Sequence, residues 1–312
     1  MSSRAATVAA QAKVNLFLHV LAREESGYHQ IETLFCRLAL ADDVVVRIPD
    51  TGGGSGRTID CTGDDVGPPE DNLAYRAAVL YADQRGWPSG FGIEVTKRIP
   101  VGGGLGGGSA DAGAVLRALR VLDPDPPSAA TLLLWAARLG ADVPVMTMES
   151  PLALGWGRGE QLLPLPALPS RAVMLYVPEF RVATREAYQW LDEARSAGGG
   201  DRPTPRRVDG PGSLSTRARD PATLGDWGHV APLMTNDFEA VVGQRHPEIP
   251  IMTARLRALP GAAAALMSGS GSTVYCVMSA LRPRRDLIEP PIAGTVVMTT
   301  TADHVVGVRR ID

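Results

Sequence analysis

The chain has 312 residues, enough for one large domain or two modest ones around a substantial core. Hydrophobic residues make up 45% and charged residues 21%, and the net charge is −3, so no global basic field points to nucleic acid or an anionic membrane. No apolar run reaches the about 18 residues of a membrane span, and MSSRAATVAAQAKVN lacks the unbroken apolar segment of a secretory signal, so a cytoplasmic protein is expected.

Residues 8–20 alternate strictly. Val8, Ala10, Ala12, Val14, Leu16, Leu18 and Val20 share one face, and Gln11, Lys13, Asn15, Phe17 and His19 share the other. A period of two predicts a strand with one buried face and a mixed, mostly polar face, on which Lys13 and Asn15 point the same way. A turn over 24–28 follows, then a strand or short helix to Phe35 and a strand at 44–48, with TGGGSG (51–56) as a hairpin tip. Residues 72–85 have helical spacing, and 91–99 alternate again and run into Pro100.

Six of the seven residues 102–108 are glycine, with Leu105 the exception. Ala112, Val115, Leu116, Leu119 and Leu122 then fall at helical spacing, and DPDPP (123–127) stops that helix. Gly102, Gly104 and Gly107 match a dinucleotide fingerprint, but the strand before them alternates and a proline separates it from the loop. A Walker A loop would need lysine where Gly108 stands. The physical reading is a phosphate cradle: bare N–H groups converge on oxygens at the positive end of a helix, with Ser109 in its first turn. A plain surface hinge is the structural alternative.

Ser128 is expected to cap a helix to Leu139 with Gly140 at its C-terminus, and Asp142, two residues before Pro144, looks like a helix cap itself. Composition shifts at 155–170, where LPLPALPS reads as a linker or extended edge. A strand at 172–177, a helix at 184–195 and a Gly/Pro/Arg/Asp-rich stretch at 196–230 follow, the last a candidate mobile loop. A helix at 248–259 and strands at 273–278, 294–298 and 304–309 close the chain. No repeat is visible, and the irregular mix of strands and helices favours α+β over a doubly wound sheet. Cys36, Cys61 and Cys276 have no paired spacing and read as reduced thiols, and the five histidines form no metal cluster.

PVGGGLGGGSADA (100–112) resembles the phosphate loop of the GHMP kinase superfamily, and MSGSGSTVY (267–275) resembles that superfamily's third motif. AKVNLFLHV (12–20), GYHQIETLF (27–35) and GADVPV (140–145) narrow the resemblance to the branch that phosphorylates a diphosphocytidyl methylerythritol in the non-mevalonate route to isoprenoids. The resemblance implies a two-domain α+β fold: an N-terminal ribosomal-protein-like domain over 1–165 and a C-terminal ferredoxin-like domain over 170–312. It implies ATP held by Pro100, Val101, Gly102, Gly103, Gly104, Leu105, Gly106, Gly107, Gly108, Ser109 and Ala110, with Mg²⁺ whose protein ligands stay open. Lys13 would lie beside the reacting hydroxyl, and Asp142 would accept its proton. Asn15 would contact the substrate, Tyr28 would stack on cytosine and His29 would hydrogen-bond the base edge, with Thr184 and Tyr188 completing the site. The implied partners are that small substrate and ATP, with no nucleic acid and no membrane, in a monomer or weak homodimer. A homoserine or mevalonate kinase, or a nucleotide-binding protein without catalysis, is the alternative. Two departures remove no chemical group: Gln11 stands where a proline often precedes the Ala-Lys pair, and the third motif ends in serine where alanine is more usual.

Overall fold

Two long antiparallel strands, β1 (Ser3–Arg23) and β2 (His29–Pro49), carry the first half of the chain in the computed structural model, which describes residues 3–49, 56–63, 67–197, 221–279 and 293–311. The turn between them forms as expected, with the Glu24 N–H donating to the Tyr28 carbonyl at 2.7 Å and Gly27 at φ +87°. β2 is one continuous strand where two shorter elements were expected. The expected hairpin tip at 51–56 lies almost wholly outside the described residues.

β1 departs from simple alternation in an informative way. Its register against β2 slips between Gln11 and Lys13 and again between Asn15 and Phe17. At the first slip one residue of β1 stands opposite three of β2, and at the second β1 carries one extra residue; such irregularities bend and re-aim the strands. Gln11, Lys13, Asn15 and Phe17 are 3%, 4%, 2% and 0% exposed, so most of the face expected to be mixed and polar is buried as well.

The remaining elements are β3 (Arg57–Thr62), α1 (Leu73–Arg85), β4 (Phe91–Thr96), α2 (Gly107–Leu122), α3 (Ala129–Ala137), α4 (Val143–Thr147), β5 (Leu152–Gly157), β6 (Gln161–Leu165), β7 (Ala172–Pro178) and α5 (Thr184–Ala197). Then come α6 (Trp227–Val230), β8 (Thr235–Asn236), α7 (Glu239–Arg245), α8 (Glu248–Arg257), β9 (Ala262–Met267), β10 (Val274–Met278), β11 (Gly294–Thr300) and β12 (Arg309–Ile311). One sheet runs β12-β1-β2-β4-β3, with β5 and β6 continuing from β2 and β8 parallel to β1; the other runs β11-β7-β10-β9. β8 and β12, both from the second half of the chain, therefore pair with its first strand. One core lies between the larger sheet, α1–α4 and one face of the smaller sheet, and the other between the opposite face of the smaller sheet and α5, α7 and α8. Mixed strands and helices in two cores are the α+β architecture expected.

Local chemistry fixes the ends. Asn72 caps α1 by accepting from the Ala74 N–H at 2.9 Å, and Gly86 closes it at φ +64°. Ser128 caps α3 as expected, but α3 ends with Arg138 as its C-cap, and Gly140 instead accepts the Val143 N–H ahead of α4. LPLPALPS begins inside β6, an edge strand paired with β5 alone, where Pro164 withholds no ladder bond that the sheet needs. Of the terminal strand expected at 304–309, only residue 309 is paired, in a ladder over 309–311.

The stretch expected to be a mobile loop over 196–230 is corrected at its far end; residues 198–220 lie outside the described residues. Leu224, Trp227 and Val230 are buried in the larger core, and the Trp227 indole N–H donates to the Pro169 carbonyl at 2.7 Å. Three apolar residues spread over two short helical turns are too short a run for periodicity to register. Trp227→Ala should therefore destabilise the fold by about 3 kcal/mol in denaturant titration; a midpoint unchanged from the parent would return this segment to the surface.

Candidate active site

The glycine loop leaves the sheet at the end of β4 and enters α2 at Gly107. Its bareness answers two demands. Gly106 stands at φ +72°, and a Cβ there would lie 2.8 Å from Met146 Cε and 3.1 Å from Lys13 Cγ. Gly104 stands at φ +76°, and its Cβ would lie 2.3 Å from the Ser268 carbonyl oxygen. The loop is thus seated on β1 on one side and on the 268–273 turn on the other. The Lys13 N–H donates to the Leu105 carbonyl at 3.0 Å, the Ser268 hydroxyl to the Gly104 carbonyl at 3.0 Å, and the Thr273 N–H to the Gly103 carbonyl at 3.2 Å. Ser109, half-buried, stands in the first turn of α2.

A cleft of about 1900 Å³ opens beside this loop and gathers residues from both halves of the chain. Lys13, Asn15, Tyr28, His29, Asp142, Thr184 and Tyr188 all line it, as do Pro100 through Ser109. Ala110 does not; it is 2% exposed and faces the core.

Lys13 Nζ donates to Asn15 Oδ1 at 2.7 Å and stands 3.3 Å from Asp142 Oδ2. Asn15 is held in turn by donating to Thr33 Oγ1 at 2.7 Å, and Thr33 donates to the Phe17 carbonyl at 2.7 Å. Asp142 occupies the position before α4, but its side chain makes no capping bond. The carboxylate faces the lysine, which removes the helix-cap reading of that residue. Arg37, buried at 2% exposure, donates to the Val145, Met146 and Met148 carbonyls and so fixes α4 behind Asp142. Burial pulls the Arg37 pKa down to about 9, with Arg117 adding to the effect.

At the other end of the cleft the Tyr28 ring is 60% exposed, with the Arg158 guanidinium 4.1 Å from its centroid. Arg158 is tied to Glu24 and Ser26. His29 stacks on Tyr188 with centroids 4.5 Å apart and an interplanar angle of 20°, and its Nε2 lies 2.8 Å from Asp192 Oδ1. Burial, with Asp142 nearby, pushes the Tyr188 phenol up to about 12, so it remains a neutral ring. Thr184 Oγ1 lies 3.0 Å from Ser270 Oγ, which joins the start of α5 to the third motif.

Sequence reasoning missed a charged cluster beneath the glycine loop. Lys97 donates to Asp111 at 2.6 Å and to Asp42, and is 3% exposed at its side chain. Asp42 also accepts the Arg98 and Ile99 N–H groups, so it is the better supported of the two carboxylates. Burial raises Asp111 to about 7, against the pull of Lys97, and its Oδ1 has no hydrogen-bond partner. One lysine is shared between two buried carboxyl groups, and it ties the chain before the loop to the helix after it. An alternating strand that ends in lysine carries no signal of this. Asp192 and Arg158 were equally silent, because nothing in their spacing ties them to residues 24–29.

A glycine loop seated on a buried lysine that faces an aspartate in the cleft, across two α+β halves, marks one class of phosphotransferase. The GHMP kinases N terminal domain family matches residues 72–150, and the GHMP kinases C terminal family matches residues 218–287. Within that class the chain belongs to the 4-diphosphocytidyl-2-C-methyl-D-erythritol kinase family. It is 37% identical over 280 residues to the kinase of that name from Solibacter usitatus, covering 88% of this chain and 81% of the relative. To its namesake from Mycolicibacterium paratuberculosis it is 37% identical, covering 86% of this chain and 80% of the relative. A crystal structure of 4-(cytidine 5'-diphospho)-2C-methyl-D-erythritol kinase superposes with TM-score 0.69 at 34% identity, covering 95% of this chain and 99% of that one. Homoserine kinase from Cytophaga hutchinsonii superposes with TM-score 0.68 over 100% of this chain and 98% of that one, but at 17% identity it shares the fold alone. The protein is an ATP-dependent kinase of the GHMP type. Among the described residues, no helix is long and apolar enough to cross a membrane.

Proposed function

We propose that this chain transfers the γ-phosphoryl group of ATP to the 2-hydroxyl of 4-diphosphocytidyl-2-C-methyl-D-erythritol. The observation that carries the reading is the Lys13–Asp142 contact at 3.3 Å in a cleft whose wall is the glycine loop. Phosphoryl transfer asks the protein for positioning and for charge around a loose transition state. The loop offers backbone N–H groups to the phosphates at the start of α2. Lys13, touching that loop, supplies the cation that a Walker lysine supplies elsewhere. Asp142 takes the hydroxyl proton as the acceptor oxygen bonds to Pγ and the bond from Pγ to the β–γ bridging oxygen breaks, releasing ADP.

Among the described residues no group of three or more His, Cys, Asp or Glu side chains could hold a metal ion. Mg²⁺ carried by a nucleotide needs few protein ligands, since phosphates and water fill most of its shell. Ser109, a hard oxygen at the head of α2, fits that role. The bound ion would offset charge on the β- and γ-phosphates.

At the far end of the cleft Tyr28 supplies a face for cytosine, His29 a hydrogen-bonding edge, and Thr184, Tyr188 and Asn15 the intervening contacts. Residues from both halves of a single chain line the cleft, in keeping with the reading of a monomer or weak homodimer. Residues 1–165 and 170–312 serve as the two domains, with β8 and β12 reaching back to the first sheet. The reading places the enzyme in the cytoplasm.

The test is ADP release measured with a panel of acceptors. Turnover is expected with the diphosphocytidyl substrate and little with homoserine or mevalonate; the reverse order would overturn the acceptor assignment. Tyr28→Ala should weaken binding of the diphosphocytidyl substrate by about 1–3 kcal/mol, with ATP affinity unchanged. The same variant should show almost no penalty with bare methylerythritol phosphate, itself a very poor acceptor. An equal penalty on both acceptors would remove Tyr28 from base recognition.

A further inference from the structure

The His29 side chain is 7% exposed and is fixed on two sides. Its ring lies on Tyr188, and its Nε2 meets Asp192 Oδ1 at 2.8 Å. A carboxylate only accepts hydrogen bonds, so the proton of this contact belongs to Nε2. A neutral imidazole carries one N–H, so Nδ1 is then left with a lone pair and can only accept. Nδ1 has no partner among the described residues, and it is not one of their sealed-off unpartnered atoms, so it remains open to the cleft that His29 lines.

We propose that Asp192 is a specificity-determining positioning residue: by fixing the His29 tautomer it makes the base subsite accept an amino group and reject a carbonyl at the same place. The inference rests on the diphosphocytidyl reading above. Cytosine carries an exocyclic amine that donates, and uracil carries a carbonyl oxygen in its place. An acceptor at Nδ1 satisfies the first and leaves the second facing another lone pair. A buried site built to pair with a donor rejects the analogue that lacks it, because the site's own polar atom is left unpaired.

The second anchor of Asp192 is Arg23, whose Nη1 lies 3.5 Å from Oδ2. That contact holds the carboxylate from the turn side of β1. Asp192 stands on α5 and His29 at the start of β2, so the tautomer is set by one half of the chain on behalf of a residue from the other.

The experiment compares wild type, Asp192→Asn and Asp192→Glu with the cytidine substrate and its uridine counterpart, at about pH 8, above the ordinary histidine range. An asparagine amide offers both a donor and an acceptor, so it can meet either tautomer. Wild type should prefer cytidine by at least about tenfold in kcat/KM, the step that one mispaired polar group sets. Asp192→Asn should lose several-fold in kcat/KM for cytidine through KM, keep kcat and the KM for ATP, and narrow the preference toward unity. Asp192→Glu, which retains a carboxylate, should keep the preference. Wild type that is active but equally fast on both bases, or an Asp192→Asn enzyme of unchanged preference, overturns the inference. Wild type inactive on both nucleotide-linked substrates overturns the diphosphocytidyl reading itself, and the inference with it.

Discussion

Asp142→Asn should lower kcat by about 10²- to 10⁴-fold, the range for a positioned general base, while the KM for ATP changes little. The substitution keeps the shape of the side chain and removes its capacity to take a proton. Because Asp142 makes no capping bond to α4, the fold has little to lose by the change. Lys13→Met should produce a loss of similar size, since it deletes the cation that stands 3.3 Å from Asp142 and against the glycine loop. The two losses should not add in the double variant, because residues that act as a unit are strongly non-additive. Near-normal turnover of Asp142→Asn would return the residue to a structural role.

Gly104→Val should abolish nucleotide binding and also lower the melting temperature. The position is at φ +76°, and any Cβ would stand 2.3 Å from the Ser268 carbonyl oxygen. That atom is backbone of the third motif, so nothing flexible can give way. Gly107→Val should behave differently. A Cβ there meets Ile99 Cγ2 at 3.2 Å and Lys97 Nζ at 3.5 Å, both side-chain atoms. Its effect should fall on ATP affinity, measured by calorimetry, with a smaller shift in melting temperature. If the two variants melted alike and bound ATP alike, the contact between the glycine loop and the third motif would be incidental.

How far the sequence spoke depended on distance along the chain. The strand over 8–20, the helix over 72–85 and the helix after the glycines rest on local periodicity, and each formed, the strand extending to Ser3–Arg23. Lys13 and Asn15 could be placed on one face by counting. What counting could not show was that this face is buried, because the glycine loop, Thr33 and the third motif that cover it come from elsewhere in the chain. Asp142 looked like a cap because a short motif before proline looks the same in both roles; only Lys13, more than a hundred residues away, decides between them. The Lys97 cluster and Asp192 were invisible for the same reason. Each is a pairing between segments whose spacing carries no signal until the fold brings them together. Trp227 failed on composition: a Pro/Arg-rich neighbourhood hid three apolar residues that occupy a core.

β1 precedes every other described element, and β12 follows them all, yet the two are hydrogen-bonded neighbours through Ala5–Ile311, Ala6–Arg310 and Thr7–Arg309. On the ribosome, residues 5–7 of β1 wait without that partner until residues 309–311 have been made. Until then the β2-paired strand keeps a short open edge, the condition that favours pairing with other molecules. The protein's yield in cells should therefore depend on holding factors that shield an N-terminal segment, and a chain stalled before its last strand should aggregate.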